Sequence, residues 1–571
     1  MTTHAFPLAS PLETSPEQTA SQLLSRFRNP DVELASRMEA AYGSDVEIHR
    51  ERAAAAVRTL EHYLESYGDG PCRLYRAPAR LSLNPHSDHQ GAWVPYGLHV
   101  RELLCALSLS DDDRVEITNV DPTFESRLTF AVSDEIARDR RLWSTDWFRY
   151  IEAEPVVQTV RDHLDVKGQQ SGRKATANYV RAAVLRMHHA YPEAEFPGLR
   201  MTFNGNIAQG SGQSSSSALA VTAALALGQA AGLELDRRVL AERCGEAEWY
   251  VGTRGGSGDH AAILLGSRAG LTHLCFQAPF GVRGVKHSTF PSGYELIVAN
   301  SQTQSQKSAE ERLLFNTGIF AYRFGFLALK EAMAEIGIDA ETIAQTRCLG
   351  DLHTGRFSNA TLYRLVRTLP EYVSSEELAA RFPQTFAAAA RGCFGTEEMC
   401  RLPTRIPLRG AAVYGLGRVD RGRMMPEILD DASDEDMCEF GRLMTITHDG
   451  DRLTHCGENY HESRQRLADE AIEAAYAAEC CGESRPLREE PGFYGASIRE
   501  LDHLVDVANE LEGVLGAGLM GAGGGGYVLI LARAGMLPAL KEHLKRGYYD
   551  VIGKQPDVEA WRPTAAAGRL A

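Results

Sequence analysis

Several protein classes are excluded by what the sequence lacks. No run is long and apolar enough to span a bilayer. The longest, Ala218 to Leu233, is interrupted by Thr222, Gln229 and two glycines. No basic stretch followed by an apolar core opens the chain, so no secretory leader is expected. Basic residues are in the minority: 60 Lys and Arg against 76 Asp and Glu, a formal net charge of −16. That balance argues against a general surface for nucleic acid or anionic lipid, although a small anionic substrate would feel only local charge. The 11 cysteines are an odd number without zinc-ligand spacing, and the tightest pair, Cys480-Cys481, is vicinal. Reduced thiols and a cytoplasmic location are the expectation. The composition, 44% hydrophobic and 24% charged over 571 residues, is ordinarily globular and too long for one core. Two domains with insertions are expected.

The usual P-loop is also missing, because no lysine lies between Lys174 and Lys286. Another glycine loop stands in that interval, Gly205 to Ala218, with Gly210, Ser211, Gly212, Ser214, Ser215 and Ser216 at its centre. An alanine-rich run follows directly. This order reads as a tight loop opening onto the N-terminus of a buried helix. Unpaired backbone N–H groups and the positive end of the helix dipole there favour an anion. Glycine lets the backbone approach a phosphate, and the serine hydroxyls suit a phosphate oxygen or Mg²⁺. The alternative is a Ser/Gly linker, but linkers do not normally run straight into an apolar helix.

A second cluster, Gly521 with Gly523 to Gly526, precedes the strand-like run Val528 to Leu531. Five glycines in six residues suit a backbone that passes close to a ligand or to another backbone; a floppy hairpin loop is the alternative. Elsewhere, helices are expected over 45–67, Asn178 to Ala190, Phe324 to Ile336 and Ser374 to Ala390. Strands are expected over Cys72 to Leu83, Leu103 to Leu107, Val115 to Ile117, Leu199 to Asn204 and Leu296 to Asn300. Asp430 to Glu435 reads as an acidic, solvated stretch with no need for a metal.

A third segment, Ala77 to Gly91, contains Arg80, Pro85, His86, Asp88 and His89. With the two glycine clusters it resembles the three motifs of the GHMP small-molecule kinases, galactokinases above all. Tyr250-Val251-Gly252 leading to Gly258-Asp259, Phe440 to Met444 with Thr447-His448, and Glu500-Leu501-Asp502 follow in the galactokinase order, so that the match spans about residues 70–535. The resemblance implies an α+β fold of GHMP kinase type: two domains of mixed sheets and helices with the active site between them. It divides the chain into a disordered lead (1–20), a helical extension (21–70), an N-terminal domain (71–290), a C-terminal domain with an enlarged helical middle (291–535), and a final helix and tail (536–571).

The same resemblance implies ATP and Mg²⁺ as cofactors, and a small-molecule sugar and ATP as partners, with neither nucleic acid nor membrane. Asp259 and Arg80 fall at the catalytic positions, the carboxylate taking or orienting the acceptor proton beside a fixed positive charge. His86, Asp88 and Gly258 fall at the sugar. Gly210, Ser211, Gly212, Ser214, Ser215, Ser216, Gly521 and Gly523 fall around ATP. Ser216 and Glu248, the latter eleven residues before Asp259, fall at the metal. Four positions depart from the galactokinase pattern. Pro85 replaces a glutamate that faces C6 of the sugar. Phe315-Asn316 stands near a sugar-contacting tyrosine. His260 replaces a glutamine and Met520 a threonine. The expectation is a sugar kinase acting on the anomeric hydroxyl of a galactose-like sugar altered at C5 or C6. The alternatives are a kinase for a non-sugar alcohol and a catalytically silent sugar and ATP sensor.

Overall fold

Strand Pro71–Ser82 is buried along nearly its whole length, as a strand covered on both faces must be. It pairs antiparallel with Trp93–Ser110, and the register slips between Pro78 and Ala79, where proline supplies no ladder donor. The computed structural model describes residues 17–571 except 125–126, 139, 161–176, 209, 253, 278–279, 305–308, 399–401, 456–457, 460 and 484. Among the described residues the first sheet has nine strands and continues through Gly198–Gly205, Arg114–Asn119 and Arg127–Ala131. Gly270–Gln277 and Gly281–Thr289 extend it beside the start of Trp93–Ser110.

Alternation along the strands divides the sheet's two faces. Tyr75, Cys105 and Leu107 pack under the helices Ala177–Ala190, Ser215–Ala230, Arg237–Glu248 and Gly258–Leu265. Leu74, Leu104 and Ala106 face Leu23, Leu34 and Leu60 of the N-terminal extension. That extension therefore covers an apolar face that would otherwise meet water. Its long helix, Val46–Tyr67, opens on Asp45, which accepts from the N–H groups of Glu47 and Ile48, and stops at Gly68. The lead expected to lack order as far as residue 20 joins the fold earlier: Gln18 and Thr19 pair with Cys72 and Pro71. Residues 1–16 lie outside the described residues.

The second sheet runs Val514–Leu519, Tyr527–Arg533, Tyr294–Asn300, Val558–Ala560. It is packed by Arg499–Asn509 and by the helices of the middle region, including Ala309–Glu335 and Leu408–Asp431. The helix expected over Ser374 to Ala390 is two, Ser375–Arg381 and Pro383–Glu398. The break falls at Phe382, which a following proline excludes from helical geometry. The acidic stretch near 430 is solvent-exposed as expected and also forms surface ion pairs: Asp430 with Lys286 at 2.7 Å, and Asp434 with Arg533. The segment after residue 536 is more than a helix and tail. Val558–Ala560 edges the second sheet and Gly568–Arg569 pairs with Pro71–Ser82 in the first. Between them the Trp561 indole N–H donates to the Leu98 carbonyl at 2.7 Å. Among the described residues no helix is long and apolar enough to cross a membrane.

Candidate active site

Arg80 is delivered by the first-sheet strand Pro71–Ser82 and Asp259 by the first turn of Gly258–Leu265. They meet in a bidentate pair, Nε to Oδ1 and Nη2 to Oδ2, both at 2.6 Å. Arg80 also donates to the Gly212 carbonyl, and the Ser214 hydroxyl donates to Asp259 Oδ2. Burial works against the Asp259 charge, but the guanidinium and the Ser214 hydroxyl outweigh it and hold the carboxyl below the ordinary aspartate range. The group is therefore ionised at neutral pH. Its side chain keeps 34% of its surface exposed, against 5% for Arg80, so the carboxylate is the partner a substrate can reach.

The two glycine loops, more than 300 residues apart in sequence, lie against each other. A Cβ on Gly212 would stand 2.5 Å from the Met520 carbonyl, and one on Gly521 would stand 2.7 Å from that of Gly212. Gly210, Gly212 and Gly521 all have positive φ. Gly523 answers a different neighbour, since its Cβ would strike the Ala496 carbonyl. Ser214 is left-handed at φ 65° and makes no side-chain cap to the helix Ser215–Ala230, because its hydroxyl is turned to Asp259. The first-turn donors of that sixteen-residue helix thus keep the anion-binding character read from the sequence. Ser211 is buried at the contact between the loops, where its carbonyl accepts from the Tyr527 N–H at 3.1 Å. Ser215 lines a cleft of about 270 Å³ with Asn119, Asp121, Phe124, Ile207 and Leu219. Ser216 donates to Glu248 at 3.2 Å, joining the two residues assigned to the metal. His260 is buried with Nε2 3.9 Å from Glu248.

The Ala77 to Gly91 segment is held from beneath. Asp88 accepts from the Gly258 N–H at 3.0 Å, one residue before Asp259. A Cβ on Gly258 would lie 2.3 Å from the Tyr96 hydroxyl and 2.7 Å from Asp88 Oδ2. Nothing in the sequence singles out Tyr96. Its buried phenol is pushed well above its usual range, first by burial and then by Asp88 and Asp259. Gly258→Ala should displace Asp88 or Tyr96 and raise KM for the acceptor at least about tenfold, with KM for ATP little changed. An unchanged acceptor KM would show that this close packing plays no part in acceptor binding.

His86 has φ 64° and points toward the second domain. Its Nδ1 lies 3.0 Å from the Tyr414 hydroxyl and 3.5 Å from Asp451, and its ring stacks on Tyr494 with 4.9 Å between centroids. Asp451 is fully buried and pairs with Arg418 at 2.6 Å; Arg418 also donates to the Pro85 carbonyl. The Pro85 carbonyl is thus fixed on a buried cation. Both Tyr414 and Arg418 come from Leu408–Asp431 in the enlarged middle region, which was not read as part of the site. Glycines bring that helix close: a Cβ on Gly422 would meet the Trp93 carbonyl at 2.0 Å. Asn316 is buried and donates to the Cys393 carbonyl at 2.7 Å; the Phe315 side chain lies outside the described residues.

The GHMP kinases N terminal domain profile matches residues 178–267, which include the serine-glycine loop, Glu248 and Asp259. The galactokinase of Schizosaccharomyces pombe is 23% identical over 305 residues, 49% of this chain and 51% of that protein. The galactokinase of Halalkalibacterium halodurans is 24% identical over 231 residues, 40% and 48% of the two chains. The chain spans about half the length of the curated relatives it matches. A crystal structure of Lactococcus lactis galactokinase complexed with galactose superposes with a TM-score of 0.56 at 17% identity, covering 89% of this chain and 98% of that one. At that identity the likeness establishes the fold, the α+β architecture of the GHMP kinases. Residues 178–267 thus match the GHMP kinase N-terminal domain, and the chain is similar in sequence to galactokinases and shares their fold.

Proposed function

We propose that this protein is an ATP-dependent sugar kinase, transferring the γ-phosphate of ATP to the anomeric hydroxyl of a galactose-like monosaccharide. The observation that carries the reading is the Arg80–Asp259 pair, set against the Gly212 carbonyl and one residue from the amide that holds Asp88. A phosphate-accepting loop, a carboxylate for the attacking hydroxyl and a carboxylate for the sugar are thereby contiguous.

The residues fit the implied cofactors. Two glycine loops without side chains and an uncapped helix N-terminus suit a triphosphate. One hydroxyl and one carboxylate, Ser216 and Glu248, suit Mg²⁺, which takes few protein oxygens and fills its remaining positions with phosphate and water. Bound Mg²⁺–ATP would supply the transferable phosphoryl group and shield its charge. Asp259 has a depressed pKa, so it is a weak base. It orients the hydroxyl and receives its proton as attack proceeds. Arg80, fixed in place by Asp259 and Gly212, offsets negative charge on the group in transfer.

The test is ADP release over a panel of sugars, sugar acids and non-sugar alcohols. ATP–Mg²⁺ at about a hundredfold over its dissociation constant should also stabilise the protein by roughly 2–3 kcal/mol. ATP binding without ADP release on any acceptor would mark a sensor instead. Absence of any thermal shift with millimolar ATP–Mg²⁺ would end the kinase reading.

The acceptor should depart from galactose around C5 or C6. Pro85 neither accepts a C6 hydroxyl through its side chain nor repels a C6 carboxylate. One hydrogen bond to a charged acceptor is worth about 1.5–3 kcal/mol, enough to reorder preferences tenfold or more. Arabinose, fucose or galacturonate should therefore exceed galactose in kcat/KM. If galactose leads all three by tenfold, another residue binds C6 and the argument from Pro85 fails.

A further inference from the structure

His260 stands beside the residues assigned to the metal with its own hydrogen-bonding capacity unused. It is fully buried, 0% exposed, and neither ring nitrogen has a hydrogen-bond partner. A buried polar group in that state is costly unless a ligand answers it. Its surroundings indicate which ligand. His260 follows Asp259 in the first turn of Gly258–Leu265, and Glu248 closes Arg237–Glu248. The two helices approach closely at these ends: a Cβ on Gly245 would lie 3.0 Å from Ser257 Cα. The approach brings His260 Nε2 to 3.9 Å from Glu248 Oε2, too far for a hydrogen bond. The other oxygen of that carboxylate, Oε1, accepts from the Ser216 hydroxyl at 3.2 Å. Two donors about 2.1 Å from one divalent ion stand about 3 Å apart in adjacent octahedral positions and about 4.2 Å in opposite ones. Both separations fall within that span. The Glu248 side chain keeps 13% of its surface exposed, which leaves a way in from solvent. Among the described residues no three His, Cys, Asp or Glu side chains make a metal site by themselves. An ion held here therefore takes its remaining donors from nucleotide phosphate and water.

We propose that His260 is a third protein donor to the metal of the nucleotide site, and that it turns the site's preference from Mg²⁺ towards Mn²⁺. This rests on the kinase reading above and names the class of cation which that site takes. Mg²⁺ is a hard ion that favours an all-oxygen set. An imidazole nitrogen adds affinity for first-row transition ions, while carboxylate, hydroxyl and phosphate oxygens keep the set suited to Mn²⁺. The glutamine of the galactokinase pattern at this position offers an amide in place of the imidazole, so the change of donor sets this chain apart from that pattern.

The test is pulsed electron paramagnetic resonance on Mn²⁺–ADP bound to the full chain, with natural and with ¹⁵N-labelled histidine. ADP keeps the readout free of turnover. Nitrogen modulation that changes with the label and vanishes in His260→Gln is the expected result. Calorimetry supplies a second readout: His260→Gln should lower the affinity ratio of Mn²⁺–ADP to Mg²⁺–ADP at least about fivefold, mainly through weaker Mn²⁺–ADP binding. A wild-type spectrum without histidine nitrogen overturns the proposal, whether or not the variant folds. So does an unchanged ratio, or an equal loss for both ions, which a packing role alone would give. Those outcomes leave the kinase reading standing, because the nucleotide is still bound. Failure of ADP to bind with either ion would overturn both.

Discussion

Asp259→Asn should lower turnover with the true acceptor at least about a hundredfold while leaving ATP–Mg²⁺ binding largely intact. The substitution keeps the shape of the side chain. It removes the charge that answers Arg80 and the only acidic oxygens bonded to both Arg80 and Ser214 among the described residues. The glycine loops do not depend on that charge, because they are shaped by close backbone contacts. Arg80, 5% exposed, is left with carbonyl partners alone, so a stability cost of about 1–3 kcal/mol should accompany the loss of activity. A thermal shift on adding ATP–Mg²⁺ separates the two effects, since a variant that binds ATP and fails to turn over has lost chemistry. Between about pH 6 and 8 the wild-type rate should show no titration from Asp259, whose pKa is already below the ordinary aspartate value. Near wild-type turnover in Asp259→Asn would remove this residue from the catalytic step.

The parts of the site that were legible in the sequence are those whose chemistry is local. Glycines at positive φ, a serine run opening an apolar helix and the Arg80 to Asp88 segment each announce a backbone requirement within a few residues. The strands expected at Leu199 to Asn204 and Leu296 to Asn300 lie within Gly198–Gly205 and Tyr294–Asn300 for the same reason. Tyr96, Tyr414, Arg418 and Asp451 were missed because they reach the site only through tertiary packing. Tyr96 has the profile of any core strand residue. Arg418 stands in Gly415-Leu416-Gly417-Arg418, and on an amphipathic helix a charge is ordinarily a solvated face. The available signal was the glycines around it, which weaken a helix unless something packs closely there. The final strand was missed because Gly568–Arg569 is too short for any periodicity, and its partner strand lies near the other end of the chain.

Asp451→Asn should cost about 3–5 kcal/mol of stability and weaken acceptor binding, although Asp451 itself is fully buried. Its carboxylate is bonded to Arg418 at 2.6 Å and to the Tyr414 hydroxyl through both oxygens at 2.8 Å, and it lies 3.5 Å from His86. Burial raises its pKa, but Arg418 and then His86 and Tyr414 more than reverse that and hold it below the ordinary aspartate range. A group depressed in the folded state stabilises the protein above its unfolded pKa, and the contribution fades as pH falls through the lower folded value. At neutral pH the full contribution is present, so the variant should show its largest deficit there and approach wild type only in acid. The reason lies in Arg418, which the substitution leaves buried without a counter-charge while it still carries the Pro85 carbonyl. Strain there passes directly to His86, so the acceptor KM should rise while the ATP site is spared. Arg418→Met alone should be similarly destabilising, and the double variant should cost less than the two single changes together, because each single change already breaks the same pair. Strict additivity of the urea midpoints, or an acceptor KM unmoved in all three variants, would show that this buried network does not support the sugar motif.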